Sequence, residues 1–304
     1  MIDHPAQPMA VVLGSAAGGG FPQWNCGCRL CQLARAGDRR VRPATQASVA
    51  VTGDGQEWTI IGASPDLRQQ IAQTPCLWPR GEKRDSPIRR VVLTGSDIDA
   101  IAGLLVLREQ HPFVLYAPRP VMTVLDANGV FDVLDPTLVT RVEITPGQKV
   151  TCSGGLTVTL LPMPGKIPLY LEDRDATQPE AGPAYAAMLQ ANGRTLIVAA
   201  ACADITDAVL DRLREADVLF FDGTLFTEDE MIAAGLGKKT SRRMGHVPLS
   251  GPDGTLARLR NLPSRRILLH INNTNPILLR DSPERREVED AGFEVSYDGM
   301  EVRL

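Results

Sequence analysis

Strands followed by helices recur in two successive halves of the chain, which leaves few folds open to it. Apolar, β-branched runs at 10–13, 49–51 and 58–61 predict strands. The next segment, 65–73, has Pro at its start and predicts a helix with Ser64 as its cap. Further strands are predicted at 88–93, 113–116, 156–161, 185–189, 195–199, 218–221, 266–271, 293–297 and 302–304, and further helices at 101–109, 205–215 and 283–291. Two such halves predict two sheets packed face to face with helices on the outer faces.

One segment interrupts this regular pattern. Residues 164–182 are rich in proline and acidic side chains, which predicts an irregular flap. The rest of the sequence has no low-complexity tract and no repeat of short period. We therefore predict that 1–304 form one domain built from the two halves.

Charge and the length of apolar runs exclude several classes of protein. The formal net charge of -4 at pH 7 gives no basic surplus for tracking a phosphate backbone, so no nucleic-acid partner is expected. The longest apolar stretches, 100–107 and 196–203, are much shorter than the roughly 20 residues that span a bilayer, so no membrane insertion is expected. The sequence opens without a basic region followed by a long apolar run, so no secretory signal is expected. The predicted location is the cytoplasm.

Three thiols lie close together near the start of the chain. Cys26, Cys28 and Cys31 fall within six residues, which is dense enough to bind one soft, tetrahedral cation such as zinc. Three unrelated buried thiols and a redox pair are the alternatives. A fourth ligand must come from elsewhere in the sequence, and a site closed by four protein ligands would hold structure rather than perform chemistry.

Long phrases of the sequence match one known family. The phrase VLGSAAGGGFPQWNCGCRLC at 12–31 resembles the opening of the coenzyme PQQ synthesis protein B family. Other matching phrases are ASPDLRQQI (63–71), AGLLVLRE (102–109), FDGT (221–224), MGH (244–246), HINNTNPIL (270–278) and DGMEVRL (298–304). The resemblance covers essentially the whole chain. It implies an α/β fold of the metallo-β-lactamase-like αββα type, with two mixed sheets and helices on the outer faces.

The resemblance also implies a biological role. The family acts in making the quinone cofactor PQQ from a peptide precursor, and it resembles an iron-dependent hydroxylase of a tyrosine-derived intermediate. A second role is that of a carrier, which takes PQQ or a precursor toward the periplasm. Either role implies a small-molecule or peptide-derived ligand, and a homodimer is left open. The resemblance makes the cysteine cluster a structural zinc site, with Asn273 as its fourth ligand.

The catalytic metal site implied by the resemblance is altered in this sequence. Two-metal members of the superfamily need five histidines, including those of an HxHxDH loop, whereas this chain has four histidines in total. The loop reads GSDIDA at 95–100, so Ala100 stands where the family has a histidine. Asp99, Asp222 and His270 remain as metal ligands, and this set suits iron or manganese. Loss of one ligand is expected to weaken metal binding by at least about 10 to 100-fold.

Other residues are predicted to lie near this site. By resemblance, His246 acts as a general acid or contacts the substrate, although a surface imidazole is the alternative. Asp97 is either a substitute ligand or the N-cap of the helix behind it. The glycine-rich phrase at 14–20 is predicted to line the pocket. Gly62 replaces an asparagine of the family, and the pair Ala-Ala at 200–201 replaces Pro-Gly.

These residues leave three candidate functions. The first is a mononuclear iron-dependent oxygenase with Asp99, Asp222 and His270 as ligands and His246 near the substrate. The second is a binding or carrier protein, a divergent paralogue that keeps the pocket without turnover. The third, a metal-dependent hydrolase, is disfavoured because the sequence cannot provide a pair of metals that activates water.

Overall fold

The structure of the protein is a computed structural model that describes residues 8–81, 83–173 and 180–304. His4 and the middle of the predicted flap, 174–179, lie outside the described residues. In chain order the strands are β1 (Met9–Gly14), β2 (Ser48–Thr52), β3 (Trp58–Ile61), β4 (Ile88–Val92), β5 (Phe113–Ala117), β6 (Val139–Glu143), β7 (Lys149–Thr151), β8 (Thr157–Lys166), β9 (Ala181–Ala191), β10 (Arg194–Ala199), β11 (Val218–Asp222), β12 (Arg265–Leu269), β13 (Phe293–Val295) and β14 (Glu301–Arg303).

Within the described residues these strands form two mixed sheets of seven strands each. The first has the order β14-β1-β2-β3-β4-β5-β6, and the second has the order β13-β12-β11-β10-β9-β8-β7. The first sheet is antiparallel from β14 to β3 and parallel from β3 to β6. The second is antiparallel from β7 to β10 and parallel from β10 to β13. Parallel strands need both faces covered, which agrees with the fully buried pattern of β11.

Helices cover the outer faces of both sheets. In chain order the helices of the described residues are α1 (Arg29–Arg35), α2 (Leu67–Gln73), α3 (Ile98–Ile101), α4 (Arg119–Asp126), α5 (Asp207–Leu213), α6 (Glu230–Ala233), α7 (Thr255–Arg258) and α8 (Pro283–Asp290). The helix α4 buries Val121, Met122 and Leu125 on one face, as an amphipathic surface helix does. The helix α8 begins with Ser282, whose hydroxyl accepts a hydrogen bond from the backbone N–H of Arg285.

The hydrophobic core lies in three layers. The middle layer joins the facing sides of the two sheets, where Val12 and Val49 of the first sheet belong to the same cluster as Val198 and Phe220 of the second. One outer layer packs helices α2 and α4 on the first sheet, and the other packs α5 and α8 on the second. The predicted α/β sandwich of two mixed sheets with outer helices is confirmed.

The predicted helix at 101–109 is wrong in kind. The structure has the short α3, followed by a 3₁₀ segment at Ala102–Arg108. The backbone N–H of Gly103 donates to the carbonyl of Ala63 at 2.8 Å, and a Cβ on Gly103 would lie 2.1 Å from the carbonyl oxygen of Ser64. This close docking takes a backbone donor out of the α-helical pattern, which explains the tighter turn.

Two further expectations need correction. The helix α2 begins at Leu67 with Asp66 at its N-cap, and the Ser64 hydroxyl accepts from the N–H of Asp66 instead of capping the helix. The two ends of the predicted flap are strand, because β8 continues to Lys166 and pairs in register with β9 from Ala181 onward. The prolines of this segment predicted an irregular structure, but prolines at facing positions of β8 and β9 are accommodated in the strand pairing.

In the part of the chain that the structure describes, we find no helix that is both long enough and apolar enough to span a bilayer.

Candidate functional site

The candidate site lies where several strands end at the same edge of the sandwich. Asp222 is the last residue of β11, and His270 follows β12 directly. These strands are parallel neighbours, with Asp222 in register with Leu269, so both side chains emerge at one edge. Asp99 lies in α3, after the end of β4. Carboxyl ends of parallel strands are the usual place for ligand sites in such sheets.

Asp222 is completely buried, and both oxygens of its carboxylate accept hydrogen bonds. Oδ1 accepts from the hydroxyl of Thr224 at 2.6 Å, and Oδ2 accepts from the backbone N–H of Cys202 at 3.0 Å. Nδ1 of His246 lies 2.7 Å from Oδ2. Burial opposes ionisation, but the neighbouring imidazoles and the hydroxyl of Thr224 hold the pKa of Asp222 below its usual value. The carboxylate is therefore fixed in position and ionised.

His246 belongs to the same group of side chains. Its ring stacks on that of His270, with the centroids 5.3 Å apart. Asp222, His246 and His270 each offer a ligand atom, and these atoms lie within 4.8 Å of one another. A proton on Nδ1 that points toward Asp222 would leave Nε2 of His246 as the basic nitrogen.

His270 connects this group to Asp99. Nε2 of His270 lies 3.0 Å from Oδ2 of Asp99, and Nδ1 lies 2.9 Å from the hydroxyl of Thr224. Burial favours the neutral ring, but the hydrogen bond to Asp99 outweighs it and raises the pKa of His270. With acceptors at both nitrogens, the protonated ring is well held in the absence of a cation.

The backbone of His270 is strained. Its φ is 60°, in the left-handed region that costs a non-glycine residue roughly 1–2 kcal/mol. The flanking residues fix it there, because the N–H of Ile271 donates to the carbonyl of Ser15 and the N–H of Gly223 donates to that of Leu269. Strain of this kind, held by the surrounding structure, is typical of functional positions.

Asp97 and Ala100 complete the wall beside Asp99. Among the described residues, the Asp97 carboxylate caps no backbone N–H of α3, and it lines the cavity instead. Burial and the charge of Asp99 raise the pKa of Asp97. The methyl group of Ala100 also lines the cavity, so a histidine at this position would enter it.

A cavity of about 440 Å³ is lined by most of the residues described above, namely Asp97, Asp99, Ala100, Thr224, His246 and His270. The buried Asp222 contacts Thr224 and His246 of this lining. Ala17 and Gly18 line it, as predicted for the glycine-rich phrase, and Ile61, Val198 and Leu269 give it apolar walls. An apolar pocket with a few convergent polar groups is the usual form of a small-molecule site.

The cysteine cluster forms a second, separate group of donors. The sulfurs of Cys26, Cys28 and Cys31 lie within 4.8 Å of one another, and Cys31 is completely buried. Burial raises the pKa of the Cys31 thiol to about 11. Burial also opposes ionisation of Cys28, but hydrogen bonds from the backbone of Cys31 and from the neighbouring thiols keep its pKa below the usual value.

Asn273 closes this cluster. Its Nδ2 donates to the sulfur of Cys26 at 3.2 Å and to that of Cys31 at 3.4 Å. Half a turn of the amide would present Oδ1 at the same place, and Oδ1 is an acceptor that can serve as a ligand. Three convergent thiols and one amide oxygen fit a closed zinc site.

The sequence reading identified most of these residues but not their shared partner. Thr224 ends the phrase FDGT and contacts Asp222, His246 and His270. The sequence analysis did not identify it as a site residue. Gly62 has a φ of 74°, a conformation open to both glycine and asparagine. Glycine in place of the family's asparagine at position 62 therefore leaves the backbone conformation unchanged.

Known proteins of one family match nearly the whole chain. A model of the β-lactamase superfamily domain matches residues 57–271. Coenzyme PQQ synthesis protein B of Methylobacterium nodulans is 50% identical over 300 residues, which cover 97% of this chain and 99% of that protein. The protein of the same name from Rhizobium meliloti is 51% identical over 296 residues and 97% of each chain. A crystal structure of Zn(2+)-bound PqqB from Methylobacterium extorquens is 46% identical, has a TM-score of 0.94 and covers 97% of this chain and 100% of that one.

Proposed function

The chain belongs to the coenzyme PQQ synthesis protein B family of the β-lactamase superfamily, and on this premise we propose that it is a mononuclear iron-dependent hydroxylase of a tyrosine-derived precursor in PQQ biosynthesis. The observation that supports this most is the convergence of Asp222, His246 and His270, with Asp99 hydrogen-bonded to His270, beside a cavity. The cytoplasm is the proposed location, and a small or peptide-derived precursor is the proposed ligand.

The donor set fits a single hard or intermediate cation. Asp99, Asp222 and His270 provide two carboxylates and one imidazole, which is the ligand type of non-haem iron sites and also suits manganese. His246 adds a second imidazole within reach of the group. We therefore propose a site that is weakened by Ala100 but still competent, with His246 beside the ligands rather than among them.

The protein side chains would orient the metal ligands and the substrate. A ferrous iron, when bound, supplies the activation of dioxygen. Thr224 holds the ring of His270 through Nδ1 and the carboxylate of Asp222 through Oδ1, which fixes the direction of both ligands. His246 is placed to take or return a proton on a substrate hydroxyl. The apolar walls exclude water from the substrate.

Metal analysis and a turnover assay test this proposal. Purified protein is loaded with ferrous iron without oxygen, and the bound metals are counted. A tyrosine-containing peptide, dioxygen and an external reductant are then added, since hydroxylation consumes two electrons, and mass spectrometry detects the added oxygen atom. We expect one zinc and one iron per chain and a hydroxylated peptide. Zinc alone, with no iron bound, contradicts the proposal.

A binding or carrier protein for PQQ or its precursor is the second candidate. The specific observation in its favour is Ala100, whose methyl group lines the cavity where the resemblance places a histidine ligand. In this case the chain would be a divergent paralogue that binds without turnover, with transport toward the periplasm as one use. Zinc in the cysteine cluster, together with ligand binding that needs no iron, would favour it over the hydroxylase.

A further inference from the structure

A group of basic side chains, distinct from the Asp and His residues, contributes two lysines to the lining of the cavity. We call it the basic wall, and it consists of Lys166, Lys239 and Arg243 around the carboxylate of Glu172. Lys166 ends β8, and Lys239 lies in the loop between α6 and the segment that carries His246. Both lysines line the cavity.

Glu172 organises the basic wall. Its side chain is only 4% exposed, with Nζ of Lys239 2.8 Å from Oε2 and Nζ of Lys166 3.2 Å from Oε1. Arg243 lies 3.3 Å from Oε1. Burial opposes ionisation of Glu172, but these three cations lower its pKa to about 2, so it is ionised at neutral pH. Three cations and one anion leave these four groups with a charge of +2.

Side chains of both charge signs line the cavity. Asp97 and Asp99 line it together with His270, where a cation is expected to bind. Lys166 and Lys239 line it as well, and their side chains are 15% and 36% exposed. Apolar residues such as Ile61, Val198 and Leu269 belong to the same lining. Charge in a partly enclosed, low-dielectric cleft acts more strongly on a ligand than the same charge on an open surface.

We propose that the basic wall binds an anionic group, most naturally a carboxylate, of a ligand whose apolar body lies against the apolar lining of the same cavity. The inference deepens the proposed function, on which it rests, because it names the substrate class of the same cavity. An amide or an ester in place of the carboxylate loses this attraction. A charge-assisted hydrogen bond from a lysine is the interaction that distinguishes the acid from its neutral analogue.

Two probes of nearly equal size test the proposal. These are 2-naphthoate and 2-naphthamide, which differ only in a charged carboxylate against a neutral amide. Calorimetry measures the dissociation constant of each with zinc-containing protein, and no turnover is required. We expect naphthoate to bind at least about tenfold more tightly than naphthamide, and we expect this preference to shrink as salt is added.

Lysine variants locate the preference. K166Q and K239Q should each reduce the preference for naphthoate by about 3 to 10-fold while leaving the affinity for naphthamide unchanged, since glutamine keeps a donor for Glu172 without the charge. K238Q is the matched control, because Lys238 is the exposed neighbour of Lys239. It should change neither affinity. The proposal is overturned if the preference survives both K166Q and K239Q, if K238Q removes it equally, or if naphthamide binding falls in parallel.

A His270→Asn variant separates this proposal from the proposed function. We expect that variant to lose iron while keeping the preference for naphthoate, because the lysines do not depend on the metal ligands. Loss of the preference in H270N would mean that the carboxylate binds the metal instead, and it would overturn the basic wall. Failure of the wild-type protein to bind iron, with the preference intact, would overturn only the hydroxylase.

Discussion

The cysteine cluster and the Asp/His group each include one residue of the loop after β12, and these two residues are three positions apart, yet the two groups are built differently. His270 contributes to one, and Asn273 contributes to the other. The thiols come from a six-residue stretch and are closed off by an amide. The acids and imidazoles come from the ends of separate strands and face a cavity of about 440 Å³. A closed site is suited to holding structure, and an open one is suited to chemistry.

The two groups also differ in how fully their side chains are hydrogen-bonded to the protein. Asp222 accepts hydrogen bonds at both oxygens, and His270 has a partner at each nitrogen. The cysteine sulfurs are weak acceptors, and in the described part of the chain they accept from the amide of Asn273 and the backbone N–H of Cys28 at 3.2 to 3.8 Å. Metal removal should therefore destabilise the cysteine cluster far more than the Asp/His group.

The largest effect is expected at Cys31. Its replacement by serine removes a thiolate ligand from a completely buried position, so we expect loss of the zinc and a decrease of about 4 kcal/mol in the free energy of unfolding. Metal analysis and chemical denaturation measure both. Cys76→Ser is the control, because Cys76 is a half-buried thiol that lies outside the cluster. Full zinc content in the Cys31 variant would erase the distinction between the two groups.

His270→Asn should produce the opposite combination. Asparagine tolerates the left-handed backbone, so we expect stability to change by less than about 1 kcal/mol. Ferrous iron affinity should fall about 100-fold, because a proposed metal ligand is gone, while the zinc should remain. Anaerobic iron titration and thermal melting are the measurements, with His111→Asn as a control at a remote imidazole. An unchanged iron affinity would remove His270 from the ligand set.

Ala100→His tests the altered loop directly. The new imidazole would enter the cavity beside Asp99, so we expect iron affinity to rise by about 10 to 100-fold with zinc unaffected. Ala127→His, at an exposed position after α4, is the control for a histidine added elsewhere. A lack of gain at position 100 would mean that the cavity has been rebuilt around something other than a metal.

The smallest difference is expected in the dependence on pH. A metal must displace the proton of His270, whose pKa is raised, so iron affinity should increase with pH through that pKa by about tenfold per unit and then level off. The Cys31 thiol has a pKa of about 11, so zinc affinity should keep rising beyond the point where iron affinity is flat. Chelator competition at several pH values compares the two curves. Parallel curves would contradict the separate proton chemistries.

The sequence carried unequal information about these two regions. The cysteine cluster is visible in six consecutive positions, and strands such as 58–61 follow from their apolar, β-branched pattern. The helix after β4 was mispredicted because the docking of Gly103 on Ala63 is a contact between distant segments. Thr224 was missed because its two histidine partners lie 22 and 46 residues away along the chain. The basic wall was missed because neither a period nor a motif joins Lys166 to Lys239.

The left-handed backbone at His270 has an evolutionary consequence. The backbone conformation does not require an imidazole there, since glycine or asparagine would occupy it with less strain. A descendant of this protein released from all need for the cavity should therefore change first at this position. Relatives whose loop at 95–100 has also lost metal ligands would show whether the histidine at position 270 is retained when other site residues change. Its retention would indicate that selection maintains the cavity.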